Sequence, residues 1–255
     1  AIVPAVYAAA GVAAAVLSCA VILSTRWRGQ VPMGARFACL LALLCAPAID
    51  EVFATLSNSH WWMAIGMLLL GMLHDPAKRA ARAGEILFVS VTSLSGFSAL
   101  YGLPSLAVRA ARERSRHALL LVGLALGGVL VQLGYLSQST RRGSFASLVS
   151  DFATAVNVLF KRVFATAALG SNTLAEVWPQ ASAAWWVWPI TLGLVTVLVL
   201  AWVRMRRLEA LALLATLLGG WFLAVWIVAA DDVGVRILEM PGAAQRFFLL
   251  PLATI

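Results

Sequence analysis

Two adjacent carboxylates, Asp50 and Glu51, close an apolar run at Pro47-Ala48-Ile49-Asp50-Glu51. At the mouth of a membrane span such a pair can act as a base, bind a metal or simply mark the interface. Partial desolvation there raises a carboxyl pKa, so the group accepts a proton near neutral pH. The alternative is plain solvation of a helix end. Asn58, His60 and Trp61 follow, with Trp62 beside them. Tryptophan at a bilayer boundary serves as an anchor. Beside an amide and an imidazole, the same flat rings can also line a sugar site by stacking on pyranose faces. His60 has no second histidine nearby in the sequence, so a zinc site is not expected.

Arg141, Arg142 and Arg246 form a second group, with Lys161, Arg162 and Arg236. A guanidinium grips phosphate through a bidentate fork, so these cations suit an anionic headgroup. Contact with anionic lipid, or salt bridges to Asp151, Glu176 or Glu239, is the competing explanation. Arg246 stands apart because it directly precedes the last apolar run. No P-loop, nucleophile elbow, His-Glu-x-x-His helix or dinucleotide fingerprint is present. Cys19, Cys39 and Cys45 sit inside apolar runs and read as packing residues. No cofactor is implied, and the need for a divalent metal stays open.

These residues have to be held by membrane helices. Of 255 residues, 62% are hydrophobic and 12% charged, about half the charge of a soluble domain. The mean hydropathy is +0.91. That composition excludes a soluble enzyme domain, a disordered tail, a coiled coil and a disulfide scaffold. A net charge of +8 would suggest nucleic acid in a soluble protein. Here it fits cytoplasmic anchoring charge, so no nucleic-acid partner is expected.

With about 20 apolar residues per span, the chain reads as one all-α transmembrane domain, 1–255, of about seven or eight spans. The runs are Val3–Leu23, Phe37–Ile49, Trp61–Leu73, Ile86–Val108, Ala118–Leu136, Ala184–Val203, Leu208–Ala230 and one from Phe247. The chain opens on Ala1 without a basic leader and stops at Ile255 inside that last run, which reads as a processed or C-terminally incomplete polypeptide. The fourth run carries Ser93-Leu94-Ser95-Gly96-Phe97-Ser98 and then Gly102-Leu103-Pro104, which break it in the middle. A re-entrant pair of half-helices is therefore expected there.

With that hairpin, thirteen of the nineteen basic residues fall on the cytoplasmic side, Arg26, Lys78, Arg82, Arg109 and Arg112 among them. Only four acids join them: Asp75, Glu85, Glu113 and Glu209. The N-terminus and the loops at about 50–60, 137–183 and 231–246 are then extracytoplasmic. Phe145–Phe164 alternates apolar and polar positions at helical spacing, as an interfacial amphipathic helix does. Gly127-Gly128 and Gly219-Gly220 read as close-packing positions.

The string Pro241-Gly242-Ala243-Ala244-Gln245-Arg246-Phe247-Phe248-Leu249-Leu250-Pro251 resembles the Arg-aromatic-aromatic-apolar-Pro segment of polytopic bacterial GT-C-type glycosyltransferases. Ser93–Phe97 through Leu103-Pro104, and Asp50-Glu51 through Asn58-Ser59-His60-Trp61, are similar to stretches of the same group. The resemblance implies a bacterial inner-membrane enzyme of cell-surface polysaccharide biosynthesis, working on the extracytoplasmic face. Its partners would be a polyprenyl-phosphate-linked sugar and a glycan acceptor. It also implies an outer-loop acid as base and a late-loop Arg on the lipid phosphate; Asp50 or Glu51 and Arg246 are the matching positions. The family places its acid after the first span, whereas this pair follows the second. Two other readings stand beside it: a transporter or flippase for a lipid-linked or anionic substrate, and a non-catalytic assembly subunit. Buried mid-span charge would favour transport, and the apolar runs contain none.

Overall fold

The computed structural model describes residues 2–27, 31–44, 59–95, 98–138, 164, 187–204 and 207–229. Among these residues the regular structure is entirely helical. In chain order the helices are α1 (Ile2–Ile22), α2 (Met33–Leu44), α3 (Ser59–Met72), α4 (Arg79–Leu94), α5 (Ser98–Glu113), α6 (Arg116–Gln138), α7 (Val187–Arg204) and α8 (Arg207–Ala229). The expected last run and the amphipathic helix lie outside the described residues, Phe164 apart.

Local sequence explains the boundaries. α1 is rich in alanine, the strongest helix former, and carries Pro4 in its first turn, where no intrahelical N–H bond is lost. It ends in a short 3-10 turn over Thr25–Trp27, pinned by the Trp27 indole N–H donating to the Val21 carbonyl at 3.1 Å. Between α3 and α4, Asp75 precedes Pro76, which disfavours the helical region for Asp75. Ser115 caps α6: its Oγ accepts from the Ala118 N–H at 3.1 Å.

Hydrogen bonds fix how the helices run. Ser98 Oγ donates to the His60 carbonyl (2.8 Å), and Arg109 Nη1 to the Leu70 carbonyl (3.1 Å). That near-constant offset makes α3 and α5 parallel. The Ser18 hydroxyl on the Trp62 carbonyl (2.6 Å) and Arg26 Nε on the His74 carbonyl (2.8 Å) do the same for α1 and α3. α4 runs the other way with α6, since His117 meets Glu85 (2.7 Å) while Gln132 Nε2 reaches the Leu94 carbonyl (3.3 Å). α8 opposes α5, through Arg112 to Glu209 (3.2 Å) and Thr216 Oγ1 to the Tyr101 carbonyl (3.1 Å). α2 starts beside Ser24, whose carbonyl accepts from Arg36 Nη1 at 2.8 Å, and its Leu43 joins Ala14, Ala15, Trp61 and Trp62. α7 reaches α8 across two residues, with Val199 and Trp202 facing Leu211 and Leu214. So α1, α3, α5 and α7 run towards one end of the bundle, and α2, α4, α6 and α8 run away from it.

The expected hairpin is present: α4 and α5, 16 residues each, enter and leave at the same end. At 1.5 Å per residue each arm is about 24 Å long, short of the ~30 Å hydrocarbon core. The break falls in the first of the two expected stretches and not in the second. The chain turns after Ser95, whereas Gly102-Leu103-Pro104 lies inside α5. Proline there removes a helical N–H bond and crowds the preceding turn. Two hydroxyls serve the carbonyls beside it: Thr216 Oγ1 donates to Tyr101, and Ser105 Oγ to Gly102 at 2.9 Å. The helix nevertheless continues through the proline to Glu113.

The core lies along α3. Trp62, Ala64, Met67 and Leu68 are buried on it, and Val89, Leu106 and Leu121 pack from α4, α5 and α6. Gly102 lies against Met67, whose Cβ would stand 2.6 Å from an added methyl. Among the described residues two stretches, Ala8–Trp27 and Arg116–Tyr135, are long and apolar enough to cross a membrane. Only 22% and 28% of them is buried, unlike the covered core helix of a soluble protein. Leu119, Leu130 and Tyr135 of α6 are exposed, as lipid-facing side chains would be.

Candidate functional site

The polar centre of the described structure lies at the end where α1, α3 and α5 finish. Arg109, wholly buried, donates through Nε and Nη2 to Asp75 Oδ1 (3.1 and 2.8 Å), and Nη2 also reaches Glu85 Oε2 (2.9 Å). Glu85, 6% exposed, shares Oε2 with His117 Nε2 at 2.7 Å and takes Arg26 on Oε1. The Ser115 hydroxyl donates to Asp75 Oδ2. Further out, Glu113 Oε1 accepts from His74 Nδ1 (2.8 Å) and Arg112 Nε (3.2 Å), and Arg112 Nη1 reaches Glu209. Three guanidiniums thus meet four carboxylates and two imidazoles drawn from α1, α3, α4, α5, α6 and α8 and their connections.

Helix geometry explains why these residues meet. Arg109, Arg112 and Glu113 stand at i, i+3 and i+4, on one face of α5. That face lies along α3, whose last carbonyls have no intrahelical partner. Leu70 accepts from Arg109, Met72 and Leu73 accept from Arg112 Nη2 (3.1 and 2.7 Å), and His74 accepts from Arg26. Cations at a helix C-terminus also meet the negative end of its dipole. Burial pushes the Asp75 carboxyl up, but the hydrogen bonds from Ser115 and Arg109 and the charges of Arg109 and His117 outweigh it, holding it below the usual carboxylate range.

Chemically the cluster is a clamp. Both oxygens of Asp75 and of Glu85 already accept from donors, so neither is poised as a base. Among the described residues no group of three His, Cys, Asp or Glu is arranged to hold a metal ion. Arg26, Arg109 and Arg112, expected as cytoplasmic anchoring charge, cap α3 and pair with acids. The apolar runs contain no charge only because Glu85 and Arg109 fall one residue outside the run from Ile86 to Val108. Both lie within helices and are buried.

Of the site residues singled out in the sequence, His60 and Trp61 are described, and both lie at the opposite end. His60 and Trp61 open α3 there. Their ring centroids lie 4.8 Å apart with the planes tilted by 41°, and Trp61, buried, meets Tyr101 at 5.9 Å. Asp50, Glu51, Asn58, Arg141, Arg142 and Arg246 lie outside the described residues. The helix ends that flank the first five, at Leu44, Ser59, Gln138 and Val187, are all at that same end, as is Ala229. Of the cysteines, Cys19 packs against the core cluster that holds Trp61 and Trp62, and Cys39 is exposed on α2; Cys45 lies outside the described residues. Compared with known proteins, the chain matches no family model, no curated protein and no solved structure.

Proposed function

We propose that the chain is a multi-pass inner-membrane protein of about seven or eight spans, with the ion-network end in the cytoplasm and the N-terminus outside. On the outer side it transfers a sugar from a polyprenyl-phosphate donor to a glycan acceptor. The single observation that carries the reading is the alternation of the eight described helices, which collects the described basic turns at one end. That arrangement is what the positive-inside rule requires. It also leaves the helix ends beside Asp50-Glu51, Arg141-Arg142 and His60-Trp61 at the other end, as a single reaction centre needs.

In this reading Asp50 or Glu51 deprotonates the acceptor hydroxyl. Arg246, with Arg141 or Arg142, holds the donor phosphate and stabilises its charge as it leaves. Asn58, His60 and Trp61 line the sugar site. The test is transfer from a polyprenyl-phosphate sugar by purified protein carrying Asp50→Asn or Glu51→Gln. One of the two should lose activity by about 10²–10⁴-fold while staying folded. Normal turnover in both single variants and in the double variant removes the mechanism.

A transporter reading draws on one observation: Glu85 and Arg109 are buried in the two arms of a broken hairpin, and buried charge in broken helices is frequent in transporters. Against it, the partners of both side chains are supplied by the protein itself. Movement of a lipid-linked sugar across reconstituted vesicles without sugar transfer would favour that reading.

A further inference from the structure

The clamp has a consequence for the surface around it. The four described acids at this end, Asp75, Glu85, Glu113 and Glu209, are each in ion pairs inside the network. Their partners are Arg26, Arg109, Arg112 and the two imidazoles. Lys78, Arg79, Arg82, Arg114, Arg116 and Arg207 are exposed at the same end, and none forms an ion pair with a described carboxylate. Among the described residues the acids are taken up in the network and the surplus cations face outward, so the described part of this end presents a cationic surface.

Its shape is equally particular. Every residue from 77 to 84 is exposed, so the start of α4 stands at the surface with Lys78, Arg79 and Arg82. Further along the same helix Leu87, Val91 and Leu94, at i, i+4 and i+7, form an exposed apolar stripe, with Leu87 66% and Leu94 65% exposed. A cationic start followed by an apolar face suits the boundary between headgroups and acyl chains.

We infer that the exposed start of α4 (Lys78, Arg79, Arg82), together with Arg114 and Arg116 on the adjoining turn, is a binding surface for the phosphate headgroups of anionic phospholipid. It holds the α4–α5 hairpin at the edge of the leaflet. A nucleic acid or acidic protein would match the charge, but not the apolar stripe that continues from it. The inference rests on the membrane placement proposed above and is independent of the transferase assignment.

The test is native mass spectrometry of the full chain, released from detergent with phosphatidylglycerol or phosphatidylcholine added at matched concentrations. Wild type should retain phosphatidylglycerol preferentially. At about 1 kcal/mol per basic residue near an anionic surface, a Lys78→Gln/Arg79→Gln/Arg82→Gln variant should lose affinity for it by about 100-fold, with phosphatidylcholine unchanged. These side chains are exposed and outside the ion network, and Arg82 Nε donates to the Pro76 carbonyl at 2.9 Å; an unchanged melting temperature in zwitterionic detergent verifies that the variant keeps the fold. Equal retention of both lipids by wild type, or an unchanged preference in the variant, overturns the inference and leaves the membrane placement standing. Retention of neither lipid overturns both. Loss of binding to an added oligonucleotide with lipid retention unaltered assigns the surface to a different polyanion and also overturns it.

Discussion

Arg109 Nη2 stands 2.9 Å from Glu85 Oε2, joining the last turns of α5 to the second turn of α4 with the guanidinium wholly out of solvent. Burying two charges costs several kcal/mol per ion, which only good geometry and filled hydrogen-bonding positions offset. Here Asp75, the Leu70 carbonyl, Arg26 and His117 fill them. The pair therefore dictates which helix ends can meet, and closes the hairpin.

Arg109→Ala should destabilise the protein by about 3–5 kcal/mol, because Glu85 and Asp75 then stay buried with too few partners. Adding Glu85→Ala should cost less than the sum of the two single losses. Unfolding curves in detergent for the two single variants and the double read this out.

Asp75 gives the clamp a pH dependence. Its carboxyl is held below its usual range in the folded chain, so its contribution is complete above the unfolded-state value of about 3.9. That contribution is lost as pH falls through the lower folded-state value. Melting temperatures of wild type and Asp75→Asn should differ at pH 7 and converge as the pH drops below ~4. A constant gap across that range would count against the ion pair.

Two neighbouring glycines should respond in opposite ways. A Cβ at Gly128 would stand 2.6 Å from the Ser93 carbonyl oxygen, whereas at Gly127 nothing lies within 4 Å. Gly128→Ala should cost about 1–3 kcal/mol through overpacking of α6 on α4. Gly127→Ala should be neutral or stabilising by up to ~1 kcal/mol. Melting temperatures of the two variants distinguish them.

Arg114 turns the chain from α5 into α6 with φ 50°, a left-handed conformation that costs side-chain-bearing residues about 1–2 kcal/mol. Arg114→Gly should leave stability unchanged or raise it by up to ~1 kcal/mol. Arg114→Val should lower it, since a β-branched residue is worst at positive φ. Denaturation in zwitterionic detergent keeps lipid headgroups out of the comparison.

The hairpin was readable before the structure because backbone chemistry is local: Ser95-Gly96 interrupts an apolar run, and basic residues flank both sides. The same local reasoning overextends the break to Pro104, since one proline removes one helical N–H bond while the bonds that hold α5 along α3 come from the tertiary fold. Gly127-Gly128 reads as one packing site, yet only Gly128 faces α4, because adjacent helical residues point about 100° apart. The clamp was hidden for a related reason. Counting signs puts Asp75, Glu85, Glu113 and Glu209 at the basic end, but partner choice across 24 to 97 residues depends on tertiary register. A usable signal was present. Glu85 shares a helix face with Val89 and Thr92, and Arg109, Arg112 and Glu113 share another, which marks them as inward-facing rather than anchoring.

The most direct measurement is sidedness. In a chain with Cys19, Cys39 and Cys45 replaced by serine, single cysteines go in at Lys78, the start of the hairpin, and at Ser139, one residue beyond α6. A membrane-impermeant maleimide applied to intact spheroplasts should label the Ser139→Cys protein at once and the Lys78→Cys protein only after lysis. Labelling of the Lys78→Cys protein in intact spheroplasts, with the Ser139→Cys protein protected, would contradict the account.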